Sequence, residues 1–219
     1  SEEFLQNIVS NDVNKIRTKG LIFASILSPQ GKYLYEFFII RYLNKYLIEC
    51  DKVHAKEIFD LLNSYKLRSK ITINESTEKY VSFAVNFTRF NDVKKQNKAE
   101  ENFFVLDENI FFLDPRLERL GGRIIVKLEK LYLVLKQMNL VSEDKLKFFS
   151  YCFKEGVPSV NLHNLKNNLF GVECNLEELN GLDFKKGCFI GQENTARINL
   201  RNKLRKRLMP AKIIEGSVK

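Results

Sequence analysis

The residues best suited to chemistry lie between Lys185 and Arg207. Lys186-Gly187-Cys188-Phe189-Ile190-Gly191-Gln192-Glu193 sets one thiol among two glycines, so backbone can approach a ligand closely there. A helix is expected to start near Gly191 and run through Arg201, leaving its first N–H groups beside the thiol. Those groups, with Lys185 and Lys186, favour the thiolate, so Cys188 is a candidate reactive or ligand-contacting group with a lowered pKa. The competing expectation is a small packing residue on a glycine turn. Arg197, Arg201, Lys203, Arg205, Lys206 and Arg207 form a basic run suited to phosphates or a polyanionic tail. The run holds no aromatic side chain on which a base could stack, which weakens an RNA reading.

Other chemistries lack their signatures. Cys50, Cys152, Cys174 and Cys188 are widely separated and form no CxxC, so neither a zinc site nor a local cluster-binding motif is legible, and a reducing intracellular setting is the simplest account. His54 and His163 are too isolated to form a metal pair, and no GxGxxG, P-loop or HExxH occurs. A net charge of +9 favours an anionic partner, whether a polyglutamylated cofactor, RNA or an acidic protein, with solubility alone as the competing account. Apolar residues make up 44% of the 219 positions, enough to fill a core. Runs such as Phe37 to Ile40 and Ile124 to Val126 fall far short of the roughly 20 residues that cross a bilayer, so a soluble protein is expected.

The elements that must position these residues follow from periodicity. Leu21 to Leu27 and Tyr33 to Ile40 read as a hairpin joined by Ser28-Pro29-Gln30-Gly31. Asp51 is a plausible N-cap for a helix carrying Ile58, Leu61, Leu62 and Tyr65 on one face. Strands are expected at Lys70 to Asn74, Tyr80 to Phe87, Phe103 to Leu106, Phe111 to Leu113 and Arg123 to Leu128, with Asn91 to Asn102 a solvated connection. Ser142 is expected to cap a helix burying Leu146, Phe149 and Phe153, and a last strand is expected at Leu208 to Ile214. Strands with tight hairpins and a few helices give an α+β class with mainly antiparallel sheets.

KGCFIGQE, followed by TAR and RKRL, closely resembles the KGCYxGQE signature of the YgfZ/GcvT-like folate-binding proteins. FLQNIVSNDV at Phe4 to Val13 resembles that family's first helix and its Asn11-Asp12 pair. SPQGKYLYEFFI, YKLRSKITI, DPRLERLGGR and ECNLEELNG match further family segments in order and approximate spacing, so the resemblance covers nearly the whole chain. It implies three subdomains around a central folate pocket, a relationship to the aminomethyltransferase of glycine cleavage, and a role in maturing or repairing iron–sulfur proteins, including tRNA-modifying enzymes. It further implies a functional thiol at Cys188 and cofactor contacts from Asn11, Asp12, Glu36, Glu173, Lys186, Gly187, Gly191, Gln192, Glu193 and Arg197, with Glu36 weighted as pocket lining. Residues 1–205 are expected to form the folate-binding region, in two subdomains divided near 90–102. Residues 206–219 are expected to begin a C-terminal β-barrel that is largely missing. The chain departs from the usual form at Cys152 and Ser159, where the family commonly carries Arg and Glu.

The implied cofactor is tetrahydrofolate or a one-carbon derivative, and the implied partners are iron–sulfur clients or assembly proteins. A monomer away from membranes is expected, in a bacterial cytoplasm or, for a eukaryotic source, the mitochondrial matrix. Whether a reaction is catalysed stays open: the alternatives are a folate-dependent one-carbon transferase and a basic RNA-binding module.

Overall fold

The computed structural model describes residues 1–158, 162–200 and 204–216. Its main elements, in chain order, are α1 (Glu2–Ile8), α2 (Ile16–Lys19), β1 (Leu21–Leu27), β2 (Tyr33–Tyr42), β3 (Lys45–Glu49), α3 (Ala55–Lys66), β4 (Tyr80–Val85) and α4 (Phe87–Gln96). They continue with β5 (Phe103–Leu106), β6 (Asn109–Leu113), β7 (Gly122–Lys127), α5 (Leu131–Gln137), α6 (Lys145–Lys154) and α7 (Gln192–Leu200). Short 3-10 turns link several of these.

Two antiparallel sheets organise the chain, one ordered β1-β2-β3 and the other β4-β7-β6-β5. The β1–β2 hairpin expected from sequence forms, with Leu21 opposite Ile40 and Phe23 opposite Phe38 and a register shift between Ile26 and Leu27 beside the turn. β1 is buried along its whole length, so its faces serve two cores. Leu21 and Phe23, with Phe38 and Ile40 of β2, pack against Ile110, Phe112 and Ile125 of the second sheet. Ile22, Ala24 and Ile26, with Phe37 and Ile39, pack instead against α1 and against Ile58 and Leu62 of α3. A third core lies on the far face of the second sheet, around Phe90, Phe111 and Ile124. Side chains alternate across a strand, so Glu36 falls on the same face as Phe38 and Ile40 and enters the core between the sheets.

Several expectations need correction. Residues 91–102 are not simply a solvated connection: α4 covers Phe87–Gln96, capped where the Asn86 side chain accepts from Arg89 N at 2.8 Å. Phe90 and Val93 give it a narrow buried stripe that a charge-rich composition hides. β4 stops at Val85, and Lys70 to Asn74 forms no strand, with Ile71 and Ile73 packing from an irregular segment. The helix expected from Ser142 is capped by Asp144, whose side chain accepts from Leu146 N at 2.9 Å. Its buried residue is Cys152, while Leu146 and Phe153 are exposed. Among residues 204–216 there is no strand, and Leu208 N donates to Glu173 O at 3.1 Å instead. β3 and α5 went unread in the sequence. No helix among the described residues is long and apolar enough to cross a membrane.

Candidate functional site

The motif turn is built from close backbone contacts. Gly191 has φ +84°, and a Cβ there would stand 2.4 Å from Ser28 O and 3.0 Å from Gly31 Cα. Only a residue without a side chain lets the motif lie on the hairpin loop. Thr195, buried in the first turn of α7, donates its hydroxyl to Gly191 O at 2.8 Å, and Asn194 Nδ2 donates to Gln30 O at 3.0 Å. Gly187 differs, since a Cβ there would meet nothing within 4 Å.

Lys186 anchors the other flank. Its ammonium is buried and donates to three backbone carbonyls, of Gln6 at 2.7 Å, Val9 at 2.5 Å and Asn11 at 3.1 Å. The Gln6 and Val9 carbonyls lie where α1 ends, the end of the helix that favours a cation, and Asn11 follows in the next turn of chain. Burial pulls the Lys186 pKa down to about 8, while the Asp12 and Asp183 carboxylates favour the charged form. Three acceptors match the three donors of an ammonium.

Asn11 and Asp12 also work in the scaffold. Asn11 Nδ2 donates to Phe23 O at 2.8 Å and to Asn180 O at 2.7 Å, tying the segment before the motif to β1. Asp12 caps the turn after it by accepting from Asn14 N at 3.0 Å. Glu173 reaches back to accept from Phe170 N at 2.7 Å. Ser10, fully buried and unnoticed in the sequence, donates to Gly181 O at 2.6 Å and accepts from Ser25 N at 2.9 Å.

Against this scaffold, Cys188 is exposed, unlike buried Cys152 and Cys174 and half-buried Cys50. The packing expectation therefore does not hold for Cys188. Glu193 and Arg197 are exposed on α7, and Gln192 is half-buried at its start. Arg205 and Lys206 of the basic run are exposed, while Arg207 pairs with Glu178. Arg201, Lys203, Ser159 and Val160 lie outside the described residues.

A second constellation surrounds Glu36 in the core between the sheets. Arg116 binds buried Asp114 through Nε to Oδ1 at 3.0 Å and Nη2 to Oδ2 at 2.7 Å. Arg123 Nη1 donates to Glu49 at 3.0 Å, and its Nε, 3.6 Å from Asp114 Oδ2, makes no hydrogen bond among the described residues. The guanidiniums stack on aromatic faces, with Arg116 5.1 Å and Arg123 4.8 Å from the Phe38 ring centre. Burial works to raise the Asp114 pKa, but the two arginines outweigh it and hold the carboxyl below its ordinary value. The Glu36 carboxyl makes no hydrogen bond among the described residues. Burial pushes its pKa up to about 7, with Asp114 adding to the rise and the two arginines opposing it. The guanidiniums form ion pairs with Asp114 and Glu49 and none with Glu36, whose charged form they favour only at longer range.

Two thiols stand near this carboxyl. Burial raises the Cys174 pKa to about 12, with Glu36 contributing. Burial also raises Cys152, against the pull of Arg116 and Arg123. The cation expected to be lost at Cys152 is thus supplied by two arginines from elsewhere. Sequence reasoning missed both, although a charged Asp114-Pro115-Arg116 between apolar runs was a signal. A carboxyl whose pKa lies near neutral can either accept or donate a hydrogen bond. Two surface clefts, of about 400 and 360 Å³, lie elsewhere and are not lined by Glu36 or Cys188.

No protein-family model matches the chain. Among curated proteins it is 30% identical over 197 residues to the mitochondrial iron–sulfur cluster assembly factor IBA57 of Mus musculus, covering 87% of this chain and 53% of that protein. It is 24% identical over 233 residues to the mitochondrial IBA57 homolog of Dictyostelium discoideum, covering 94% and 57%. The chain therefore spans about half the length of the curated relatives it matches. Among solved structures it superposes on the glycine cleavage system aminomethyltransferase T of Bartonella henselae with a TM-score of 0.70 and 10% identity, covering 91% of this chain and 58% of that one. At that identity the likeness establishes an aminomethyltransferase-like fold.

Proposed function

We propose that this chain, a homologue of the IBA57 iron–sulfur cluster assembly factors with the fold of an aminomethyltransferase, is a tetrahydrofolate-binding factor that supports assembly or repair of iron–sulfur proteins. The observation that carries the reading is the exposed thiol of Cys188 on an immobilised turn. Lys186 fastens that turn to the end of α1, and Gly191 fastens it to the hairpin loop. An exposed thiol on a fixed backbone reaches a partner or its cargo without first ordering a loop. The cluster is cargo here, handled together with an assembly or client protein.

The folate part rests on Glu36. Its carboxyl, without a hydrogen-bond partner among the described residues, would hold the head group, and the exposed cations Arg197, Arg205 and Lys206 suit an anionic glutamate tail. Bound tetrahydrofolate supplies a carrier for one-carbon units. Gln192 and Glu193 stand at the start of α7, beside the motif, as further polar contacts. The mitochondrial designation of the relatives favours a mitochondrial setting over a bacterial cytoplasm.

A second reading, one-carbon transfer, would use the Glu36 carboxyl, set in the core between the sheets where burial pushes its pKa up to about 7, for acid–base work at neutral pH. Turnover with a methylene-carrying folate would establish it.

Calorimetry with tetrahydrofolate, paired with client-enzyme activity in cells depleted of their own assembly factor, tests the main reading. Cys188→Ala is expected to keep folate binding and lose support of the client, whereas Glu36→Gln loses about tenfold in folate affinity. Full support by Cys188→Ala would remove the thiol from the function. Absence of folate binding by the unaltered chain would remove the cofactor.

A further inference from the structure

The free edge of β5 opens onto the cleft of about 400 Å³, away from both constellations above. Asp107 and Glu108, at φ +49° and +68°, form a two-residue hairpin turn between β5 and β6. In such a turn the closing pair, Leu106 and Asn109, exchanges hydrogen bonds, and alternate pairs along the ladder do the same. Phe104 with Phe111 is the next such pair, and Asn102 with Leu113 the next, where Leu113 N donates to Asn102 O at 2.8 Å. Phe103 and Val105 therefore direct their N–H and C=O groups outward. No described residue hydrogen-bonds them.

Proteins usually guard such edges with lysine, proline or a bulge. β5 carries none of these, and its pairing with β6 runs without a register shift. Its side chains at 103 and 105 line the cleft together with Arg17, Thr18, Arg41 and Leu43. Val105 is 47% exposed and Leu43 75% exposed, the latter held at φ +53°, where glycine or asparagine is the cheaper residue. Arg41 makes no ion pair among the described residues, and Arg17 pairs with Glu2 at 2.6 Å. Glu101 is the one carboxylate on the cleft wall against these two guanidiniums.

We infer that the β5 edge and its cleft receive an extended segment of a partner protein in which apolar residues alternate with carboxylates. The outward backbone groups supply strand pairing, the apolar side chains face the cleft against Leu43 and Val105, and the long guanidinium arms of Arg41 and Arg17 reach the intervening acids at its rim. β5 is four residues long, so the docked segment is short and its binding reversible. The inference stands apart from the folate and thiol readings, because none of its residues touches Glu36 or Cys188.

The test titrates the full chain with acetyl-Glu-Val-Glu-Val-Glu-amide and follows backbone amide resonances. Saturable shifts are expected at Phe103 and Val105. Val105→Pro removes an outward N–H without disturbing the β5–β6 ladder, and Arg41→Glu reverses the unpaired charge; each is expected to weaken binding about tenfold. Unchanged core resonances in both variants verify the fold. Equal binding of the Lys-Val-Lys-Val-Lys peptide, affinity indifferent to both variants, or shifts confined to other elements would overturn the inference. Competition by a single-stranded RNA oligonucleotide at these resonances would assign the cleft to nucleic acid and overturn it. Self-association through β5 seen by ultracentrifugation would assign the edge to a second copy and overturn it equally.

Discussion

Lys186, buried, and Glu36, half-buried in the core between the sheets, lie on segments that resemble a folate-binding family, and they are treated in opposite ways. The lysine has as many carbonyl partners as it has protons to donate. The glutamate has none among the described residues, and its proton is retained up to about pH 7. A charge whose partners are all supplied by the fold has its work done once the fold forms. One left without partners is a cost the fold tolerates, and such costs concentrate where a ligand later supplies what is missing. The contrast gives Lys186 a role in the scaffold and leaves Glu36 as the group that the proposed folate would meet.

The widest break in that contrast should come from Lys186→Met, which removes three charge-assisted hydrogen bonds and leaves three buried carbonyls. Denaturant unfolding should show a loss of about 3 kcal/mol. A loss near zero would mean that water or a rearranged α1 replaces the ammonium.

Gly191→Ala comes next, at about 2 kcal/mol, because the added Cβ meets Ser28 O at 2.4 Å and the backbone sits at φ +84°. Gly187→Ala, with open space around it, should stay within about 0.5 kcal/mol. Equal costs at the two glycines would show that the motif does not rest on the hairpin loop.

Glu36→Gln should move stability the other way, and only at higher pH. The native carboxyl pKa lies near 7 against an ordinary 4.5, so the folded state holds the proton more tightly. That contribution is fully present below about 4.5 and is lost as pH rises through about 7. The glutamine variant should match the unaltered chain below about pH 4.5 and exceed it by about 3 kcal/mol near pH 8. A pH-independent offset would indicate that Glu36 titrates as an exposed acid.

The elements read most directly were those with unbroken local patterns. The β1–β2 hairpin, α3 with Asp51 before it, the strands at 103–106 and 122–127, and α7 are all anchored by alternation or by a cap within a few residues. α4 escaped because its buried stripe is two residues, Phe90 and Val93, inside a polar composition. Lys70 to Asn74 misled because apolar alternation states that side chains are buried, not that a neighbouring strand is available to pair with them. α6 was placed nearly correctly but turned, burying Cys152 rather than Leu146, since rotation about a helix axis is set by the surface it meets.

By itself the sequence determined the α+β class, the hairpin on which the motif rests, the glycine at 191, and a family resemblance in line with the similarity to curated mitochondrial IBA57 proteins. These are local quantities, settled by the residues themselves and their near neighbours. Only the tertiary structure decided that Cys188 is exposed, that Lys186 serves α1 across 180 positions of chain, and that Asp114, Arg116 and Arg123 gather around Glu36. Exposure, partnership and charge balance are properties of a surrounding volume. That volume is filled by residues far apart in the chain, so its electrostatics exist only after the two sheets have packed.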